Sequence, residues 1–345
     1  MPRAPCTVRS AFAPTGSHER PVFLFWGRLA APTRRGLGGG FAAAKTDFAF
    51  RFAGCAAKTE QNVETHPMNQ QKPTLLLIGH GSPDAAGNGE FIQFAADLAQ
   101  HLGVATQPCF LELAEPSIGA GVALCVAQGA TEILALPLFL GAGRHQKRDV
   151  PNLLAAAQAE HAGIVVRYGA PLGPQLHLVG VLAERAAAAL ATSRQAVSDE
   201  ATALLLVGRG SKDPQSNAEL ARLARLLSEI HGYAIVEYAY QTVVPPDVGQ
   251  ALGRCVRLGA QRVVVLPYLL FAGFVRDDIV NQARLAQEHY PQIEILVGQH
   301  LFPHAGLLAA TAFRYEELRD GMVQMNCASC SYRQHGDDGE HHHDH

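Results

Sequence analysis

The chain carries one series of motifs twice. Residues 75–84 read LLLIGHGSPD and residues 204–213 read LLLVGRGSKD, with Asn88 and Asn217 at the same offset beyond them. Further on, QGATEILALPLFLGAG at 128–143 pairs with LGAQRVVVLPYLLFAG at 258–273. Between these blocks Pro116, Gly119 and Cys125 match Pro246, Gly249 and Cys255. Self-similarity at a long fixed period means two copies of one folding unit. The differences between the copies carry as much information as the likeness. His80 becomes Arg209, the His145 that follows Gly143-Arg144 becomes Val275, and Glu112 falls opposite Gln241 or Thr242, depending on where a one-residue gap is placed. Two imidazoles and a carboxylate are absent from the second copy while its scaffold remains, which makes those three residues the first functional candidates.

Leu75 to Gly79 is a short, continuously apolar run ending at Gly81 and Ser82, the pattern of a buried parallel strand followed by a tight turn. Residues 89–102 show helical spacing of Phe91, Phe94, Ala95 and Leu98. A second strand is expected over 107–113, and a helix over 116–128 opened by Pro116 and closed by Gly129. A strand over 133–139, a helix over 149–161, a strand over 164–168 and a helix over 177–191 complete the unit. The second copy repeats the order, with strands near 203–208, 234–240, 262–268 and 293–297 and a last helix near 304–318. Strands alternating with helices predict an α/β fold of two tandem domains, each a four-stranded parallel sheet with helices on both faces in three αβα layers. The expected divisions are 68–195 for the catalytic repeat, 196–320 for the degenerate one and 321–345 for a metal-binding tail, with the Ala-rich stretch 186–202 as linker. Residues 1–67 differ in character: they hold nine Lys/Arg against four Asp/Glu and show no sustained periodicity. They read as a disordered arm or as an extension upstream of a natural start at Met68.

An apolar fraction of 48% with 17% charged residues describes a globular protein, and no apolar run approaches the roughly 20 residues of a membrane-spanning helix. A net charge of -3 without a basic, aromatic-interleaved stripe excludes a general nucleic-acid binder. Five of the seven cysteines are scattered singly, which is no disulfide framework and fits a reducing cytoplasm. Neither a membrane nor a nucleic-acid partner is expected, and the chain is taken as a monomer or homodimer.

Ligands of open parallel sheets bind outside the carboxyl ends of the strands. His80 follows strand one, Glu112 closes strand two and His145 lies in the loop after strand three, so three strand ends aim at one rim. Neutral imidazole ligates borderline divalent ions, and a carboxylate either ligates or takes a proton. The short His-x-x-x-His or Cys spacing usual in zinc sites is absent. Ligands drawn singly from distant loops suit a metal that is held and then released. A phosphate cradle at GHGS lacks the further glycine or lysine of nucleotide loops, and a Ser82 nucleophile lacks its G-x-S-x-G elbow.

The combination GHGSPD, FLELAEPSI and LPLFLGAGRHQKRDVP resembles the class II chelatases of tetrapyrrole biosynthesis, in the long two-repeat form of the sirohydrochlorin cobaltochelatases. The resemblance covers about residues 68–320 and implies insertion of Co²⁺ into sirohydrochlorin, with release of two protons, in cobalamin biosynthesis. It implies His80 and His145 as metal ligands and Glu112 as acceptor of pyrrole protons. Sister enzymes insert Fe²⁺ or Ni²⁺ with the same residues, so a ferrochelatase or nickel chelatase is the nearest alternative. A non-catalytic metallochaperone and a metal-dependent hydrolase are others. Sirohydrochlorin is rich in carboxylates, and Arg144, Lys147 and Arg148 beside His145 are candidates to pair with them at roughly 1.5–3 kcal/mol per charge-assisted bond. Ser82 joins them as a substrate-binding candidate, and Phe110, Phe139 and Leu140 as lining of the cleft. In the tail, Cys327 and Cys330 stand at C-x-x-C spacing, half of a four-cysteine cluster site. The resemblance associates that motif with an iron–sulfur cluster. The end HGDDGEHHHDH, with His341, His342, His343 and His345, has the composition of a transition-metal loading segment.

Overall fold

The structure, a computed structural model, describes residues 73–141 and 143–321. The expectations for residues 1–67 and for Cys327, Cys330, His341, His342, His343 and His345 lie outside the described residues. The first repeat runs β1 (Thr74–Gly79), α1 (Ala85–Leu102), β2 (Thr106–Phe110), α2 (Ile118–Ala127) and β3 (Glu132–Pro137). A π-helical turn (His145–Asp149) then leads into α3 (Val150–Glu160), β4 (Val165–Tyr168) and α4 (Leu176–Leu190). The second runs β5 (Thr202–Gly208), α5 (Pro214–His231), β6 (Ile235–Tyr240), α6 (Val248–Arg257), β7 (Arg262–Pro267), α7 (Phe274–His289), β8 (Glu294–Val297) and α8 (Ala305–Arg319). Each repeat forms a parallel sheet, ordered β2-β1-β3-β4 and β6-β5-β7-β8.

The two-residue period of a strand sorts the core. Leu76 and Ile78 of β1 face an outer core beneath α2 and α3, while Leu75 and Leu77 face inward. On the second sheet, Leu205 and Val207 lie beneath α6 and α7, while Leu204 and Leu206 face inward. The inward residues of both sheets join one central core with α1, α4, α5 and α8. This makes the all-apolar reading of β1 and β5 intelligible, since both of their faces are covered.

The last helix of each repeat crosses over. α4 packs on β7 and β8 of the second sheet, and α8 packs on β3 of the first and against α1. Three arginines fasten the exchange. Arg185 of α4 donates to Pro303 O at 2.7 Å and Gln299 Oε1 at 2.7 Å; Arg314 of α8 donates to Leu172 O at 3.0 Å. Arg167 of β4 reaches the C-terminal carbonyls of α8 at Leu318 and Arg319. The glycines after β4 and β8 leave room for the exchanged helices: a Cβ on Gly169 would lie 3.1 Å from Leu318 Cδ2, and one on Gly298 3.4 Å from Arg185 O.

Several local expectations change. The Ala-rich stretch from 186 is helix up to Leu190, and Ala186 and Ala189 are core residues, because small side chains let α4 lie close to the other repeat. Only 191–201 connects the repeats, held by Arg262, whose Nη2 donates to Ser193 Oγ at 2.9 Å. α2 begins after Pro116, with Ser117 as its cap accepting from Ala120 N. Strand two ends at Phe110, which leaves Glu112 in the following turn.

Candidate active site

The carboxyl ends of β1, β2 and β3 meet those of β5, β6 and β7 across one cavity of about 700 Å³. Its first-repeat wall is built by two turns locked together. Leu111 N donates to Gly79 O at 2.9 Å and Glu112 N to His80 O at 3.1 Å. Gly81 has φ 89°, and a Cβ there would stand 1.8 Å from Glu112 O, so the glycine of GHGS is what lets the two turns touch. Leu113 follows with φ 63°, a left-handed conformation costing roughly 1–2 kcal/mol for a side chain of its kind. That strain is stored where the chain bends to present Glu112.

His80 Nε2 lies 3.6 Å from Glu112 Oε1, both side chains partly exposed to the cavity. His80 Nδ1 is 3.2 Å from Gly81 O, a contact that suits a proton on Nδ1. Nε2 then presents a lone pair toward a carboxylate oxygen. Two acceptors facing each other call for a cation between them, a proton or a metal ion. Two ligand atoms on one tetrahedral ion at ~2.1 Å each stand ~3.4 Å apart. The observed spacing is close to that.

His145 opens the π-helical turn, and its side chain lies outside the described groups; the next residue, Gln146, lines the cavity and is 2% exposed. Phe110, Phe139 and Leu140 also line it, with the His80 and Phe139 rings edge to face at 6.3 Å. Ser82 is in the wall, but its hydroxyl accepts from Asp84 N at 3.0 Å, and Ser211 does the same for Asp213 N. That bond belongs to the turn shared by both repeats.

The basic cluster behaves differently from the expectation. Lys147 Nζ donates to Asp213 Oδ2 at 2.6 Å and to Gln215 Oε1 at 2.8 Å, with the two charged side chains only 8% and 7% exposed. A buried ammonium needs a paired carboxylate more than a ligand does. Lys147 therefore ties the π-helical turn to the cap of α5 and is not presented to the cavity. Arg144 precedes the turn and Arg148 lies within it, and neither is among the cavity-lining residues.

The facing wall comes from the second repeat, as the sequence leads one to expect of a partner copy, but its individual lining residues are not singled out by the sequence. It includes Arg209, Tyr240, Tyr268, Phe271, Phe274 and Arg276. Arg209 was visible in the sequence only as a lost histidine. Burial pushes the Tyr268 phenol far up, helped by the Glu219 carboxylate, and Tyr240 up to about 12, helped by Tyr238. Both stay protonated near neutrality, and Tyr240 donates to Asn217 O at 2.7 Å. Glu219 Oε2 sits where a Cβ on Gly141 would be 2.6 Å away, packed into the wall. Its counterpart Glu90 accepts from Ala272 N at 2.7 Å and stands 3.1 Å from His300 Nε2, holding the second wall from the first repeat. Among the described residues lining the cavity, Glu112 is thus the carboxylate that stands beside an imidazole. The same backbone bonds fix its counterpart: Thr242 N donates to Arg209 O at 3.1 Å, so Thr242, not Gln241, stands opposite Glu112.

Comparison with known proteins matches this architecture. The model of the CbiX family fits residues 74–189 and again 203–318. A sirohydrochlorin cobaltochelatase of Priestia megaterium is 31% identical over 260 residues, covering 75% of this chain and 84% of that protein. A sirohydrochlorin ferrochelatase of the same organism is 32% identical over 234 residues, covering 68% and 85%. The structure of SirB from Bacillus subtilis with Fe³⁺ superposes with a TM-score of 0.64 at 26% identity, covering 73% of this chain and 98% of that one.

Proposed function

The chain belongs to the CbiX family of chelatases, and from that premise we propose that it inserts Co²⁺ into sirohydrochlorin. The observation that carries the proposal is the 3.6 Å approach of His80 Nε2 to Glu112 Oε1 on the rim of the cavity between the two repeats. Insertion replaces two pyrrole N–H protons by one M²⁺ ion, so the site must offer a metal ligand that lets go and a base that takes protons. His80 supplies the first: a single neutral imidazole, its Nδ1 held by Gly81 O, binds a divalent ion without enclosing it. His145, opening the π-helical turn next to the cavity residue Gln146, is the second ligand in this reading. Glu112 supplies the base. Its place in a turn, exposed to the cavity, lets it pass protons on to water.

The macrocycle would lie between the two walls, its apolar faces against Phe139, Leu140, Phe271 and Phe274. A non-catalytic carrier has no need of a base at Glu112, which favours the enzyme. The choice of cobalt over iron rests on the resemblance of the sequence, including its Cys-x-x-Cys and His-rich end, to the long cobaltochelatases. The buried free thiols Cys109, Cys125 and Cys255 accord with a cytoplasmic reaction. The test is the visible absorption spectrum of sirohydrochlorin with the protein and Co²⁺, Fe²⁺ or Ni²⁺ in turn. Cobalt is expected to be inserted fastest. Faster insertion of iron would reassign the metal, and no acceleration with any of the three would end the chelatase reading.

A further inference from the structure

We infer that the second repeat is the carboxylate-binding wall of the cavity, with Arg209 as the residue that recognises the acidic periphery of the substrate. The inference deepens the chelatase reading and rests on it for the identity of the substrate. Among the described residues lining the cavity, the arginines and lysines number two, Arg209 and Arg276, and both belong to the repeat that lacks the metal-binding set. The basic residues of the first repeat do not serve there, since Lys147 is buried against Asp213 and neither Arg144 nor Arg148 reaches the cavity lining.

Arg209 occupies the His80 position in backbone as well as in sequence. Each is followed by a positive-φ glycine and each accepts a backbone N–H at 3.1 Å from the residue two positions beyond the second strand. The difference lies in the partner. His80 faces the carboxylate of Glu112, whereas the residue facing Arg209 is Thr242, which carries no charge. Had the acidic residue been retained, it would have neutralised the guanidinium. Its loss leaves Arg209 exposed, with no ion pair to it among the described residues. A guanidinium is permanently charged and matches a carboxylate with two parallel N–H donors. The exchange of His for Arg and Glu for Thr thus converts a metal-and-proton site into an anion site on the same scaffold. A fixed positive charge there also disfavours capture of M²⁺ on the wrong wall.

A second observation points to the same class of ligand. Gln146 Nε2 and Arg276 Nε, at matching places in the two repeats, are buried nitrogens without a hydrogen-bond acceptor, and both residues line the cavity. Arg276 Nε stands 3.0 Å from Asp277 Oδ1 but off the direction of a hydrogen bond. Buried donors are normally matched. Two unmatched donors and an arginine without an ion pair, on a cavity whose walls include Phe139, Leu140, Phe271 and Phe274, describe a flat apolar ligand edged with acceptors.

The test compares Arg209→Gln and Arg209→Lys in the full chain. Binding of metal-free sirohydrochlorin is followed by its absorbance, and the KM values for tetrapyrrole and Co²⁺ are measured separately. Arg209→Gln is expected to weaken sirohydrochlorin about tenfold or more in both Kd and KM, as loss of a charge-assisted bond requires. Arg209→Lys should recover part of that loss, and the KM for Co²⁺ should stay put. The methyl-esterified macrocycle, which has the same faces and no carboxylates, should bind both the wild type and Arg209→Gln with one affinity. Unchanged sirohydrochlorin affinity in Arg209→Gln, or an equal loss toward the ester, would overturn the assignment. If the wild type binds sirohydrochlorin but metallates it with none of the three ions, the chelatase reading fails while the Arg209 comparison still decides this one. If it binds no sirohydrochlorin, both fail.

Discussion

At the rim of the cavity the two repeats present the same turn with different chemistry. His80 and Arg209 both follow a central strand and both precede a glycine at positive φ, 89° and 90°. Leu113 and Val243 both adopt left-handed backbone one residue beyond Glu112 and Thr242. Asn88 and Asn217 clamp their turns by the same pair of bonds, to the backbone of Ser82 and of Ser211. Strain and clamps are therefore properties of the scaffold, kept in the repeat that has Arg209 and Thr242 in place of His80 and Glu112. Function resides in the few side chains the scaffold displays. Strained backbone at a candidate site is weak evidence of catalysis when a repeat without that site carries the same strain.

The comparison can be broken most severely by separating the repeats. A chain ending near residue 200 should yield no folded, active protein, because α8 supplies Leu307, Ala310, Tyr315 and Leu318 to the core shared by both sheets. A cooperative unfolding transition together with chelation by that fragment would refute the exchange of helices as a requirement. Within the first wall, Glu112→Gln should lower the maximal insertion rate about 100-fold, the scale of a lost general base. His80→Ala and His145→Ala should each lower it at least about tenfold while leaving the urea midpoint in place, since substitutions in strand-end loops seldom disturb a core. Near-normal rates in both histidine variants would remove the assignment.

The tie between the walls predicts a change in stability. Lys147→Met should cost about 3 kcal/mol in urea unfolding by leaving Asp213 charged and buried, and adding Asp213→Asn should restore much of it. Asparagine keeps the cap on α5 that Asp213 provides through Gln215 N. Additive losses in the double variant would mean that the pair does not act as a unit. A smaller effect is expected from removing residues 331–345: the Co²⁺ concentration for half-maximal rate should rise, with the maximal rate preserved, because a His/Asp cluster raises local metal without touching the transition state. The smallest expected effect is none. In a His80→Ala background, Arg209→His with Val275→His should restore no insertion, since Thr242 offers no base. Recovery of turnover would show the second wall to be a latent copy of the first.

Much of this was legible in one dimension. The eight strands follow from short apolar runs bounded by glycine, and most ends agree with the structure within a residue or two. Boundaries slipped where a side chain took over from the backbone pattern: Ser117 capping α2 in place of Pro116, and the turn that draws Glu112 off the strand. The nomination of His80 and Glu112 came from what the second repeat lacks, and the fold brings those two together. The role given to Lys147 failed because adjacency along the chain says nothing of direction. At the π-helical turn Lys147 points toward α5 while Gln146 reaches the cavity.

What the sequence by itself determined is local and periodic: strand and helix order, the parallel sheets, the glycines at the turns and the residues that distinguish the repeats. Those features depend on spacing along the chain and on backbone preferences, which any segment carries with it. The tertiary structure alone decided that the final helices trade places, that Lys147 is spent on Asp213, and that Arg209 shares a cavity with His80. Each of these joins residues far apart in the chain, brought together by burial of the apolar faces of both repeats in one core, and that burial has no signature in the neighbourhood of either residue.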